Sequence, residues 1–110
     1  MGMKPAVKKV TGTLGAEISN IDIGAPLDDS TLNWLQHEFV ENKVLFFRDQ
    51  HLTSEQHVAF SNHFGDVLDV HPWSASKADF KNIMLIYNSA AAGWHSDETW
   101  REETPLGSVL

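Results

Sequence analysis

The residues best placed to do chemistry are His95 and Asp97, one serine apart in the string Trp94-His95-Ser96-Asp97-Glu98-Thr99-Trp100. Side chains two apart on an extended strand point to the same face, so a strand here presents an imidazole and a carboxylate to one ion. That donor pair suits divalent iron, where a second histidine distant in sequence completes a facial triad and leaves positions open for other ligands. Taken alone the pair reads equally as a surface ion pair, because six histidines and fifteen Asp plus Glu crowd 110 residues. A hydrolytic zinc centre is disfavoured, since such sites draw on three closely placed protein ligands and only two are grouped. The absence of cysteine excludes disulfides, zinc–thiolate sites and a thiol nucleophile.

Other candidates stand upstream. His71 precedes Pro72 and reads on its own as the cap of a strand. Asn88 is a candidate polar group at a pocket mouth, whereas Tyr87 is expected in the core. Trp34, Trp73, Trp94 and Trp100 are expected to wedge elements together rather than form a binding surface. His37, His51, His57 and His63 fall on predicted helix or turn surfaces, and the six-residue step from His57 to His63 does not align them for a shared metal.

Elements must position these groups. Val10 to Ile23 reads as extended structure broken by Gly12 and Gly15, which suggests an opening hairpin. Asp28 is placed to cap a helix from Asp29 to about Asn42, with Leu32, Leu35 and Phe39 on the inward face and Gln36, Glu38 and Glu41 in water. Val44 to Phe47 lacks alternation, which predicts a central strand buried on both faces. Thr53 and Gln56 form a capping-box pattern opening a second helix, which carries Phe60 and Phe64 and is predicted to end at Gly65. Short strands are expected at Val67 to Val70, Ile83 to Tyr87 and Trp94 to Trp100, and another begins at Ser108. A polar loop runs through Asp79, and a second loop spans Asn88 to Gly93.

Composition narrows the partners. A formal net charge of −7 repels phosphate backbones and anionic head groups, so nucleic acid and membrane surfaces are not expected. The longest strongly apolar runs, Val44 to Phe47 and Ile83 to Ile86, are far too short to span a bilayer, and a cytoplasmic protein is expected. With 42% hydrophobic residues the chain suits one ordinary domain or a piece of one.

Several motifs then fall into one order. Trp94-His95-Ser96-Asp97 with Thr99-Trp100, followed by Thr104-Pro105-Leu106-Gly107, resembles the metal-binding segment of the taurine dioxygenase (TauD/TfdA) family. Gly15-Ala16-Glu17-Ile18 with Ile21-Asp22 resembles that family's opening hairpin. Val44-Leu45-Phe46-Phe47-Arg48-Asp49-Gln50 with Leu52-Thr53, Gln56 and Phe64-Gly65 resembles its strand-to-helix segment. The resemblance runs from about Leu14 onward and implies an α+β, mainly β fold. Residues 1–110 would then be the N-terminal part of a double-stranded β-helix, or jelly roll, with flanking helices.

It also implies an iron(II)- and 2-oxoglutarate-dependent dioxygenase, in which His95 and Asp97 bind the metal and a small anionic substrate meets dioxygen. His71 falls where similar enzymes contact the substrate's anionic group. The remaining histidine ligand and the arginine that holds 2-oxoglutarate have no counterpart in these 110 residues, so the chain alone is expected to be inactive. Ala90-Ala91-Ala92 stand where taurine-specific members carry polar contacts, which points away from taurine. The alternative reading is a non-catalytic fragment that docks on another chain, and a homo-oligomer is compatible with either.

Overall fold

A computed structural model describes residues 2–87 and 93–110. The chain forms two compact units, Met1–Gln56 and His57–Leu110. It is mixed in class: two helices and five short strands form among the described residues.

The first unit opens on the expected hairpin, displaced toward the N-terminus. Strands β1 (Ala6–Lys9) and β2 (Ala16–Ser19) pair antiparallel, with Ala6 opposite Ser19 and Lys9 opposite Ala16. In the connection, Thr11 Oγ1 accepts from the Leu14 amide at 3.0 Å, and Gly15 takes the left-handed φ of 88°. A Cβ there would lie 2.8 Å from Val10 Cγ2, so the tight return requires glycine. Asn20, at φ 59°, ends β2. Ile21 and Ile23 therefore lie beyond the strand, although Ile23 is still buried.

Helix α1 occupies Asp29–Asn42, and its N-cap Asp28 accepts from the Thr31 amide at 2.7 Å. Leu35 is fully buried, while Gln36 and Glu41 are exposed and Glu38 is half-buried. Lys43 closes the helix in left-handed geometry, its N–H donating to Phe39 O at 2.8 Å. Asn42, itself buried, ties this end to the sheet. Its carbonyl accepts from the amides of Gly15 at 2.7 Å and Val44 at 2.8 Å, and its amide Nδ2 donates to the Glu38 carbonyl at 3.0 Å.

Strand β3 (Leu45–Phe47) runs parallel to β2, with Ala16 opposite Leu45. The sheet order is β1-β2-β3, so β2 holds the centre and β3 an edge among the described residues. This corrects the doubly buried central strand expected from the unbroken apolar run. Phe46 is partly exposed on the edge, and the Arg48 guanidinium covers its ring at 5.1 Å. Arg48 Nε also donates to Glu17 Oε1 at 3.0 Å. Gln50 then bridges the chain after β3 to the chain after β2: its Nε2 donates to Ile21 O and its Oε1 accepts from the Ile23 amide, both at 3.0 Å.

The capping box forms as read. The Thr53 amide donates to Gln56 Oε1 at 2.8 Å and the Gln56 amide to Thr53 Oγ1 at 3.2 Å, opening α2 (Ser54–Ser61). In the second unit α2 stops short of Gly65, because the His63 and Phe64 amides reach only three residues back, to Phe60 O and Ser61 O. Phe60 is buried and meets Phe64 edge-on at 5.4 Å.

A hairpin follows, of which the sequence disclosed only one strand: β4 (Ser76–Lys77) pairs antiparallel with β5 (Phe80–Met84). No strand forms over 67–70 or 108–110, although the Val70 amide donates to Lys81 O at 2.8 Å. Tyr87 is 74% exposed rather than core, since β5 ends before it. Trp73, Trp94 and Trp100 are likewise exposed rather than wedged.

Leu35→Ala is expected to lower the stability of the full-length protein by about 2–5 kcal/mol in urea unfolding, through a buried void. Val40→Ala, on the exposed face of the same helix, should change it by less than about 0.5 kcal/mol. Equal losses at the two positions would contradict the packing described.

Candidate metal-binding pair and adjoining cleft

His95 and Asp97 converge, but not on a strand. Trp94 to Ser96 has no regular structure, and Asp97 to Trp100 is a turn in which Glu98 adopts φ 48°. The extended segment expected there is thus corrected. Curvature of the chain, rather than strand alternation, brings the two side chains to one place.

Their geometry is set by hydrogen bonding. His95 Nδ1 lies 2.8 Å from Gly93 O, and since a carbonyl only accepts, Nδ1 carries a hydrogen. Nε2 is left facing Asp97 Oδ1 at 3.1 Å. In the neutral imidazole Nε2 bears a lone pair, so two acceptors oppose each other unless a proton or a cation comes between them. The Gly93 carbonyl and then the Asp97 charge hold the His95 pKa above its ordinary value, which is the proton's answer to that arrangement.

A cation is the other answer. Two donors on one first-row divalent ion, with bonds of about 2.0–2.2 Å, stand about 3–3.5 Å apart. The observed 3.1 Å fits that span. A ligating histidine whose other nitrogen donates to a backbone carbonyl is also the usual arrangement at metal centres. Both side chains are more than half exposed, at 58% and 67%, so solvent ions reach them. Among the described residues no group of three or more His, Cys, Asp or Glu that could hold a metal ion forms around the pair.

The turn is closed by residues that sequence reasoning passed over. Arg101 Nε donates to Glu98 Oε2 at 2.8 Å and its amide to Glu98 O at 3.1 Å. This pair is more buried than His95 and Asp97. Opposite charges three residues apart directly after the His-x-Asp string were the available signal.

The same turn reaches His71. The Trp100 ring meets the His71 imidazole edge-on at 5.7 Å, and Trp73 meets it at 4.9 Å. The Trp73 amide donates to His71 Nδ1 at 3.3 Å, so a neutral His71 offers Nε2–H. Next to it lies an open cleft of about 530 Å³ lined by Asp69, His71, Ser74, Ser76, Lys81 and Arg101 among others. Asn88, the other expected substrate contact, lies outside the described residues, as do Ala90 to Ala92. His37, His51 and His63 are exposed as expected; His57 is half-buried, with Nε2 2.8 Å from Val109 O.

Comparison with known proteins bears on this site. Residues 6–110 match the family described as "Taurine catabolism dioxygenase TauD, TfdA family". An alkylsulfatase from Acinetobacter baylyi is 36% identical over 109 residues, covering 94% of this chain and 34% of that protein. An alpha-ketoglutarate-dependent sulfate ester dioxygenase from Pseudomonas putida is 33% identical over 109 residues, covering 94% of this chain and 36% of that protein. The chain thus spans about a third of the length of these relatives. The crystal structure of AAD-2 in complex with Mn(II) and N-oxalylglycine superposes with a TM-score of 0.57 and 28% identity, over 62% of this chain and 28% of that one.

In metal-free protein, an NMR titration should find His95 keeping its proton to higher pH than a free imidazole. Asp97→Asn should lower that midpoint only part of the way, since the Gly93 carbonyl remains. An unshifted wild-type midpoint would contradict the geometry.

Proposed function

The chain belongs to the taurine catabolism dioxygenase TauD, TfdA family, and from that premise we propose that the whole protein is an iron(II)- and 2-oxoglutarate-dependent dioxygenase acting on a small organic anion. The observation that carries the reading is the approach of His95 Nε2 and Asp97 Oδ1 to 3.1 Å, with Nδ1 already engaged. His95 and Asp97 would hold the iron. The relatives' names favour an alkyl sulfate, with sulfonates and aryloxyalkanoates as further candidates. The jelly-roll architecture, with the chain as the N-terminal part of a single domain, belongs to the same proposal, as do a cytoplasmic location and the absence of nucleic-acid and membrane partners. So do a second histidine, as the third iron ligand, and a 2-oxoglutarate-binding arginine outside these residues.

Iron(II), when bound, supplies the redox chemistry by which dioxygen attacks an unactivated C–H bond. The residues present divide the remaining tasks. Gly93 O fixes the His95 tautomer, so the ring offers Nε2 and does not rotate away. Asp97 supplies a negative charge that offsets the metal's. The Glu98–Arg101 pair holds the turn on which Asp97 sits. His71, with Nε2–H available, would donate to the substrate's anionic oxygen, and Asn88 would add a second polar contact. Trp73 and Trp100 meet His71 edge-on and would hold its ring in place.

The overall reaction balances as substrate C–H, 2-oxoglutarate and dioxygen giving substrate C–OH, succinate and carbon dioxide. Hydroxylation at the carbon bearing a sulfate ester oxygen gives an adduct that collapses to a carbonyl compound and inorganic sulfate.

Full-length protein supplied with iron(II), 2-oxoglutarate, oxygen and a medium-chain alkyl sulfate should release succinate and sulfate in equal amounts. Asp97→Ala should weaken iron(II) binding, measured anaerobically by calorimetry, at least about tenfold. Wild-type protein that binds no iron(II) and releases no succinate would end this reading.

A further inference from the structure

We propose that Lys81 is the specificity-determining cation of the substrate cleft, supplying the charge that selects an anionic head group; this rests on the dioxygenase reading above and names a residue that reading does not use. The cleft beside His71 holds two formal cations, Lys81 and Arg101, and they are not equivalent. Arg101 is spoken for: its Nε donates to Glu98 Oε2 at 2.8 Å and its Nη2 lies 3.4 Å from Glu98 Oε1, so Glu98 neutralises it locally. His71 has its Nδ1 engaged by the Trp73 amide at 3.3 Å, which leaves Nε2 to face a ligand. Lys81 makes no side-chain hydrogen bond or ion pair among the described residues, although Asp69 lines the same cleft. Its charge is therefore the one free to meet an incoming anion.

Its backbone is held where that charge is useful. Lys81 lies on β5, and its carbonyl accepts the Val70 amide at 2.8 Å, which fixes it to the strip leading into His71. The hairpin is pinned on its other side by Lys77 opposite Phe80 and by the Leu85 amide donating to Ala75 O at 2.8 Å. A sulfate or carboxylate entering the cleft would have Lys81, His71, Ser74 and Ser76 in its lining as candidate donors. The Asp69 carboxylate opposes it, so the site's preference for anions depends on Lys81.

The test is steady-state succinate release by the full-length iron-loaded protein, with an alkyl sulfate and an aryloxypropionate as alternative substrates. Lys81→Gln should raise KM for the better substrate roughly tenfold, the loss of one charge-assisted hydrogen bond, with the effect falling on KM rather than kcat. Lys81→Arg should restore KM to within about threefold, since the charge returns. Asp69→Asn should lower KM, the opposite sign, and serves as an independent arm should Lys81→Gln fail to fold. Lys8→Gln, which removes the same charge from exposed β1, should leave KM unaltered. Whichever substrate shows the larger Lys81 effect identifies the head group, sulfate or carboxylate. Turnover that Lys81→Gln and Asp69→Asn leave untouched, or a Lys8→Gln effect of equal size, overturns this inference alone. Absence of succinate from wild-type protein overturns the dioxygenase reading and this inference with it.

Discussion

Gly93 O lies 2.8 Å from His95 Nδ1, and because it can only accept, it settles which nitrogen of that ring carries hydrogen. The rest of the site follows from that contact. With Nδ1 occupied, Nε2 is the nitrogen presented to Asp97, and the 3.1 Å between them is too close for two bare acceptors. The arrangement favours positive charge at that point, and the Gly93 carbonyl and the Asp97 charge accordingly hold the His95 pKa above its ordinary value. Its chemistry is therefore built into two side chains and one peptide carbonyl within five residues.

The turn that follows extends this local arrangement to the cleft. Glu98 in left-handed geometry reverses the chain, and Arg101 locks the reversal through both its amide and its guanidinium. Trp100 is thereby carried against His71 and Arg101 into the cleft lining. The candidate ligand pair and the candidate anion contacts are thus positioned by one short segment, and a change in the turn would move both. The exposed ion pair His95–Asp97 is held by its neighbours rather than by burial, whereas Glu98–Arg101 is the less exposed and more constrained of the two.

The first unit is organised around the carbonyl end of α1. Asn42 O receives the amides of Gly15 and Val44, so one buried residue joins the start of β2, the end of the helix and the approach to β3. Gln50 repeats the device beyond the strands by bridging Ile21, Ile23 and Arg48. Each is a side chain or carbonyl satisfying groups far away in sequence. Neither leaves a periodic trace, which is why no pattern of apolar residues announces them.

What the sequence determined by itself is local. The Asp28 cap and the bounds of α1, the Thr53–Gln56 box, the glycine at the hairpin return and the His95-x-Asp97 pairing all depend on contacts within about four residues, where residue type fixes geometry. The order of the motifs carried the family as well. Tertiary structure decided the rest. It put β2 rather than β3 at the centre of the sheet and paired β4 with β5. It left Tyr87 and three tryptophans exposed, and it bent Trp94 to Trp100 into a turn instead of a strand. Strand order and exposure depend on which distant segment reaches an edge, and an apolar run reads the same whether one face or two are covered. The approach of His95 to Asp97 was legible because both belong to one short stretch. The meeting of Trp100 with His71, twenty-nine residues apart, required the folded chain.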